Sequence, residues 1–442
     1  MGEVLELAER AWNGDLGEIN VHPGQVLVAL EPLDDRAAFM SAFSNALILR
    51  SDEGLVFVDT SSLFHANAMY EAVRNWTQDP VHTGIYTHGH VDHVFGLLRF
   101  HEEAESQGRP AVRILAHRAC PARFDRYQLT NGYNGHINAR QFGFPKPVFP
   151  RSFRYPDETI EDRRRLDIGG LEIELHHDRG ETDDAIWAWL PQRRALYTGD
   201  LFIWAAPNCG NPQKVQRYPR EWAAGLRKMA ALEPESLFPG HGPPILGADR
   251  VAQALGDSAE LLETICHQTL SMMNDGATLN DVLYGVAIPE ALLERPYLRP
   301  IYDDPMFIVR NLWRLYGGWY DGNPAHLKPS RDGQLAEAVA ALAGGARALA
   351  RRAETSGAEG DLALACELVE LAWQAEPGDD WIRGVRTDLY RSRARAETSL
   401  MAKNIFRAAA RDSDPESPSE GAKGAQGAQG PPRSGGSVGS GS

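Results

Sequence analysis

Cysteine is scarce in this chain of 442 residues: Cys120, Cys209, Cys266 and Cys366 stand far apart and form no CxxC pair. That excludes a disulfide framework and a cysteine-held zinc site. No run of about 18 apolar residues occurs, so no segment reads as a membrane span. Basic charge is in deficit. The 45 Lys and Arg against 60 Asp and Glu leave a formal net charge of −15, which argues against a general duplex-DNA surface but leaves room for a local basic pocket for a small anion. The opening residues, Met1-Gly2-Glu3-Val4-Leu5-Glu6, lack the basic and apolar regions of a secretory signal, and the expected location is the cytoplasm. The chain does have 43% hydrophobic residues, ordinary for a globular core, and length enough for two domains and a tail.

Against that background one segment dominates: Thr87-His88-Gly89-His90-Val91-Asp92-His93, directly after the apolar Ile85-Tyr86. Imidazole and carboxylate are the usual ligands of a catalytic divalent metal. On a helix His88 and His90 would point to different faces, whereas a loop after a strand lets all four side chains converge. Three more candidates lie downstream: Glu181 in Gly180-Glu181-Thr182-Asp183-Asp184, Asp200 in Thr198-Gly199-Asp200, and His241 in Gly240-His241-Gly242. Each follows a strand-like apolar pattern, where active-site loops of layered α/β folds gather. His176 and His177 read as surface or packing residues. His65, His82, His101, His117, His136, His267 and His326 have no ligand partner nearby in sequence.

Two apolar runs, Asn45–Arg50 and Leu55–Asp59, joined by Ser51-Asp52-Glu53-Gly54, read as a β-hairpin. A helix is expected from about Leu63 to Trp76, and Leu171-Glu172-Ile173-Glu174-Leu175 alternates as a strand. After about Asp249 the pattern turns helical, with Leu262, Cys266, Thr269 and Met273, then Leu335, Val339 and Leu342, and breaks near Gly357 and Pro377. Residues 412–442, rich in Ser, Gly, Pro and Gln, bury too little apolar surface to order and are expected to be a disordered tail.

The spacing of HxHxDH, GETDD, GD and GHG resembles the metallo-β-lactamase fold superfamily, over roughly residues 20 to 247. The resemblance implies an αββα sandwich with two divalent metal ions, zinc, at one edge. Carried onto this chain, His88 and His90 hold the first ion, Asp92, His93 and His241 the second, and Asp200 bridges. The first ion's third ligand is usually histidine in that superfamily. Here the position holds Glu181, which makes the site more anionic. Glutamate there resembles the alkyl sulfatase branch, and so does Gly317-Gly318-Trp319-Tyr320-Asp321-Gly322-Asn323-Pro324, similar to part of the alkyl sulfatase dimerisation domain. The resulting expectation is a catalytic domain over 1–248 and an all-α dimerisation domain over 249–411, forming a homodimer.

The expected activity is hydrolysis of a small anionic ester, an alkyl sulfate, by a metal-bound hydroxide, with Asp92 relaying a proton. No nucleic-acid partner is expected. Asn134, Arg140, Asn208, Lys214 and Arg217, with Asn211, are the candidates to hold the anionic head group. Trp187, Trp189, Trp204 and Trp222 suit core or substrate contacts equally. The departures are specific. No histidine lies between Asp200 and His241, where the branch places one to protonate the leaving group, and no sterol-carrier-like domain is seen. These keep a thioester, lactone or phosphoester in play. A non-catalytic scaffold is the third reading, and the full ligand set opposes it.

Overall fold

The computed structural model describes residues 2–16 and 27–415. Seven strands form one sheet in chain order: β1 (Ala29–Pro32), β2 (Ala37–Ser41), β3 (Ala46–Ser51), β4 (Gly54–Val58), β5 (Val81–Ile85), β6 (Arg113–His117) and β7 (Glu158–Ile160). The first four are antiparallel and β4 to β7 run parallel. The second sheet holds β8 (Arg163–Ile168), β9 (Leu171–His177), β10 (Ile186–Leu190), β11 (Ala195–Tyr197), β12 (Ser236–Phe238) and β13 (Ile245–Leu246), in the order β13-β12-β11-β10-β9-β8. The expected hairpin is present: β3 and β4 pair with Ser51 opposite Gly54, and Gly54 takes φ +125 to close the turn.

Period-two side-chain direction sorts these strands into layers. On β4, Val56 and Val58 point into a core shared with Leu166, Ile173, Leu175, Ile186 and Phe238 of the second sheet. Leu55 and Phe57 point the other way, onto α2 (Ala66–Trp76), α3 (Leu98–Ser106) and α4 (Cys120–Leu129) through Met69, Val73, Phe100 and Phe124. Helix α5 (Asn131–Phe142) follows α4 after one residue. The second sheet's outer face, with Trp187 and Trp189, is covered by α6 (Pro219–Ala230) and α7 (Ala248–Asn274). Trp187, Trp189, Trp204 and Trp222 all belong to this core. The result is the helix–sheet–sheet–helix sandwich; α1 (Glu3–Trp12) adds Ala11 to the outer core.

Helices α8 (Leu279–Gly285), α9 (Glu290–Leu293) and α10 (Pro305–Gly317) also bury Val282, Leu292, Ile308 and Leu312 in the core beside α7. Chain contacts accordingly divide the molecule into two compact units: Met1–Pro329 with Glu397–Asn404, and Ser330–Ala396 with Ile405–Ser442. The second unit packs α11 (Asp332–Leu342), α12 (Ala346–Ala358), α13 (Leu362–Ala375), α14 (Asp380–Ala396) and part of α15 (Leu400–Ser413) around Ala353, Val369, Ala372 and Ile382. In α11 the buried positions are Ala336 and Ala340, whereas Leu335 and Leu342 face outward. Asp412 and Ser413, expected to open the tail, end α15, and residues 416–442 lie outside the described residues. No described helix is long and apolar enough to cross a membrane.

Candidate metal centre

Five strand ends deliver the polar residues to one edge of the sandwich. β4 leads into Asp59, β5 into the His88–His93 loop, β9 into Glu181, β11 into Asp200 and β12 into His241. Two close approaches need glycine. Gly199 takes φ +50 against Thr87, and a Cβ on Gly240 would overlap Asp200 Oδ1.

All seven predicted ligands converge, in two clusters: His88, His90, Glu181 and Asp200, and Asp92, His93 and His241. Asp200 faces both. Its Oδ2 lies 3.7 Å from His88 Nε2, and its Oδ1 lies 3.3 Å from His93 Nε2 and 3.3 Å from His241 Nε2. Asp92 Oδ2 is 3.5 Å from His241 Nε2 and 3.7 Å from His93 Nε2. Glu181 Oε2 is 3.6 Å from His90 Nδ1 and 3.9 Å from His88 Nε2. Neighbouring donors on a tetrahedral zinc, at its usual bond lengths, stand about 3.3 Å apart. These spacings are close to the edges of such tetrahedra. Glu181 Oε2 and Asp200 Oδ1 are buried without an aligned hydrogen-bond donor, a cost that cations would offset. The residues therefore fit divalent metal ions.

The electrostatics point the same way. Burial, with neighbouring imidazoles and Arg123, holds His88 and His90 well below the usual histidine range. Burial also opposes charging of His93, but Asp200, Asp59 and Asp92 outweigh it and lift His93 well above that range. Burial pushes Asp200 up, yet His241, His93 and His88 hold it well below the carboxylate range. Burial raises Glu181 to about 8, against the pull of Arg217 and with help from Asp200.

A supporting layer escaped the sequence reading. Asp59, fully buried at φ +59, accepts from Thr87 N, Thr87 Oγ1 and His93 Nδ1, each at 2.8 Å. Asp184 Oδ2 accepts from Gly89 N at 2.9 Å while its Oδ1 takes Arg123 Nε at 2.9 Å. The Asn45 amide reaches Pro239 O and Gly242 O at 2.9 and 2.8 Å, and His241 Nδ1 bonds Phe43 O. The signal for Asp59 was only its place at a strand end. Nothing in sequence pairs Asn45 with the Gly-His-Gly loop.

The anion candidates separate. Lys214 Nζ is held by Asn138 Oδ1 at 3.2 Å, makes no carboxylate ion pair among the described residues, and senses Asp92 and Glu181. Burial, reinforced by Arg217, lowers it to about 8. Asn138 shares a buried face of α5 with Asn134 and Gln141, spaced i, i+4, i+7, a polar stripe visible in the sequence in retrospect. Gln141 Nε2 donates to Tyr302 Oη at 3.2 Å. Asn134 spends its amide on Thr130, and Arg140 is exposed, off that face. Asn208 and Arg217 are buried on Glu181 Oε1, and Asn211 bonds Gln141 and Met401 Sδ. His176 stacks on Trp187 and His177 on His117, away from the ligand clusters.

Fold and site together define a metallo-β-lactamase-superfamily protein, and the model of that superfamily matches residues 42–241. The model of the alkyl sulfatase dimerisation domain matches residues 278–415. The chain thus carries a metallo-β-lactamase domain joined to an alkyl sulfatase dimerisation domain, and is a homologue of the alkylsulfatases. The linear primary-alkylsulfatase of Pseudomonas sp. is 26% identical over 389 residues, covering 82% of this chain and 72% of that one. An (R)-specific secondary-alkylsulfatase from Pseudomonas sp. is 26% identical, covering 83% and 59%, and the alkyl/aryl-sulfatase of Saccharomyces cerevisiae is 26% identical, covering 78% and 57%. The chain therefore spans less than two thirds of the latter two. In fold it matches the stereoselective inverting sec-alkylsulfatase of Pseudomonas sp. with a TM-score of 0.79 at 22% identity, over 90% of this chain and 67% of that one.

Proposed function

We propose that this protein hydrolyses alkyl sulfate esters at a centre of two zinc ions. The observation that carries the reading is Asp200, whose two carboxylate oxygens face two separate ligand clusters. His88, His90, Glu181 and Asp200 Oδ2 would hold one ion, and Asp92, His93, His241 and Asp200 Oδ1 the other. When bound, such ions lower the pKa of water and polarise the ester oxygen. Lys214, buttressed by Asn138, supplies the positive charge for sulfate oxygens. Asp92 is the most exposed carboxylate of the set at 21%, which suits it to accept a proton from the attacking water on the open side. The likeness to the alkylsulfatases supports the substrate class.

A homodimer belongs to the same reading, supported by the match to a dimerisation domain. So does a cytoplasmic location, supported by four free, buried cysteines that suit a reducing compartment. One observation favours a second reading, hydrolysis of a thioester, lactone or phosphoester: no histidine stands between Asp200 and His241 to serve a leaving group. The test is turnover by metal-analysed protein on alkyl sulfates of several lengths, an aryl sulfate, a thioester, a lactone and a phosphodiester. Metal-dependent sulfate release, abolished in Asp92→Asn with two ions or one still bound, is expected. Turnover of only a non-sulfate ester moves the assignment to the second reading.

A further inference from the structure

The expectation for Arg217 was contact with a substrate anion; its surroundings give it other work. Its side chain is 3% exposed and its partner Glu181 4%. Arg217 Nη1 donates to Glu181 Oε1, and Asn208 Nδ2 donates to the same oxygen. Arg217 Nη1 also reaches the Asn208 carbonyl, so the two donors brace each other. Behind them Asn311 Oδ1 accepts from Arg217 N at 3.3 Å, and Asn311 Nδ2 donates to Arg217 O at 3.0 Å. Glu181 Oε2 is left without an aligned donor and faces His90 and His88.

We infer that Arg217, with Asn208, is the positioning residue that restricts Glu181 to binding metal through one oxygen and cancels its negative charge. This rests on the reading that Glu181 is a ligand. A carboxylate with both oxygens free can chelate an ion through two atoms; here one oxygen is already filled by two donors. The buried ion pair is neutral as a unit, as an imidazole would be in its place. The three carboxylates of the centre therefore count as two. The metal pair keeps a net positive field for an anionic ester although glutamate occupies the position. Partners of this kind, behind a ligand, set metal affinity by roughly 10–100-fold.

The test measures zinc stoichiometry and affinity by chelator competition, and the cobalt-substituted absorption spectrum, on the full chain. Arg217→Met is expected to weaken one ion roughly 10–100-fold, leave the other unchanged, and alter the cobalt spectrum. Asn208→Ala is expected to show the same changes at smaller amplitude. Glu181→His combined with Arg217→Met is expected to bind both ions again, because a neutral ligand needs no counter-charge. Two ions at unchanged affinity in Arg217→Met, with one lost in Glu181→Ala, would overturn the inference while leaving Glu181 a ligand. Two ions retained in Glu181→Ala would overturn the ligand reading itself. If Arg217→Met does not fold, Asn208→Ala decides alone. Unchanged affinity and spectrum in Asn208→Ala refutes the inference, as does a folded Glu181→His, Arg217→Met combination that fails to bind two ions.

Discussion

Replacing Asp59 by Asn should weaken metal binding without disturbing the backbone. Asp59 sits at φ +59, a left-handed conformation that Asn adopts as readily as any side-chain-bearing residue. Side-chain size is conserved, and Asn Oδ1 can still accept from Thr87 N. The loss falls on the second oxygen, which takes both Thr87 Oγ1 and His93 Nδ1 at 2.8 Å. An acceptor there fixes the His93 tautomer with its proton on Nδ1 and the Nε2 lone pair turned toward Asp92 and Asp200. The amide NH2 of Asn reverses this: Nδ1 becomes the acceptor and Nε2 carries the proton into the ligand cluster. Losing such a partner costs about 10–100-fold in metal affinity, or about 1.4–2.7 kcal/mol. Chelator-competition titration of wild-type and Asp59→Asn protein reads this directly, with the melting temperature of the metal-free proteins as a control on folding. Equal affinities in two equally folded proteins would refute the tautomer argument.

Lys214→Met should lower kcat/KM for an alkyl sulfate by roughly 10–150-fold, the worth of one charged hydrogen bond, and leave a neutral ester unaffected. Because Lys214 lies near 8 and acts as the ammonium, wild-type kcat/KM should fall as pH rises through about 8. Lys214→Arg should remove that fall, and a fall that persists assigns it to another group. His117, stacked 3.8 Å from His177, is lowered to about 4 by burial and by His177. The unfolded chain, near the ordinary histidine value of 6.5, binds this proton more readily than the folded one between those values, so stability should rise with pH from about 4 to 6.5. His117→Gln should flatten that part of a urea-midpoint profile, and an unchanged slope would remove His117 as its source.

The convergence of the candidate ligands was legible because a metal loop concentrates its chemistry: His88, His90, Asp92 and His93 are near neighbours in sequence, and Glu181, Asp200 and His241 each follow an apolar strand with a glycine alongside. The layers were legible from alternation in Leu171–Leu175. What did not show were pairings decided by tertiary packing. Arg217 and Asn208 read as candidates to hold a substrate anion until the fold seats them on Glu181. Arg140 read as a cation near the site until α5 turned it outward. Leu335 and Leu342 kept helical spacing, yet α11 buries its alanines, because side-chain periodicity finds a stripe but not the partner that covers it. Nor does sequence show that the apolar residues of α8 to α10 join the core that holds Trp187 and Trp222.

Phe43 and His241 are hydrogen-bonded across 198 positions of chain. His241 itself follows His93 by 148 positions, and during synthesis at about 5–20 residues per second that separation corresponds to roughly 7–30 s. Throughout that interval the nascent protein already displays the His88–His93 cluster but has no His241 to close it. An open imidazole cluster ranks divalent metals by intrinsic affinity, which favours copper over zinc. For this chain, which metal is acquired becomes a race between translation and capture. On that ordering, a metal met before His241 has joined the cluster meets a different set of ligands from one met after it.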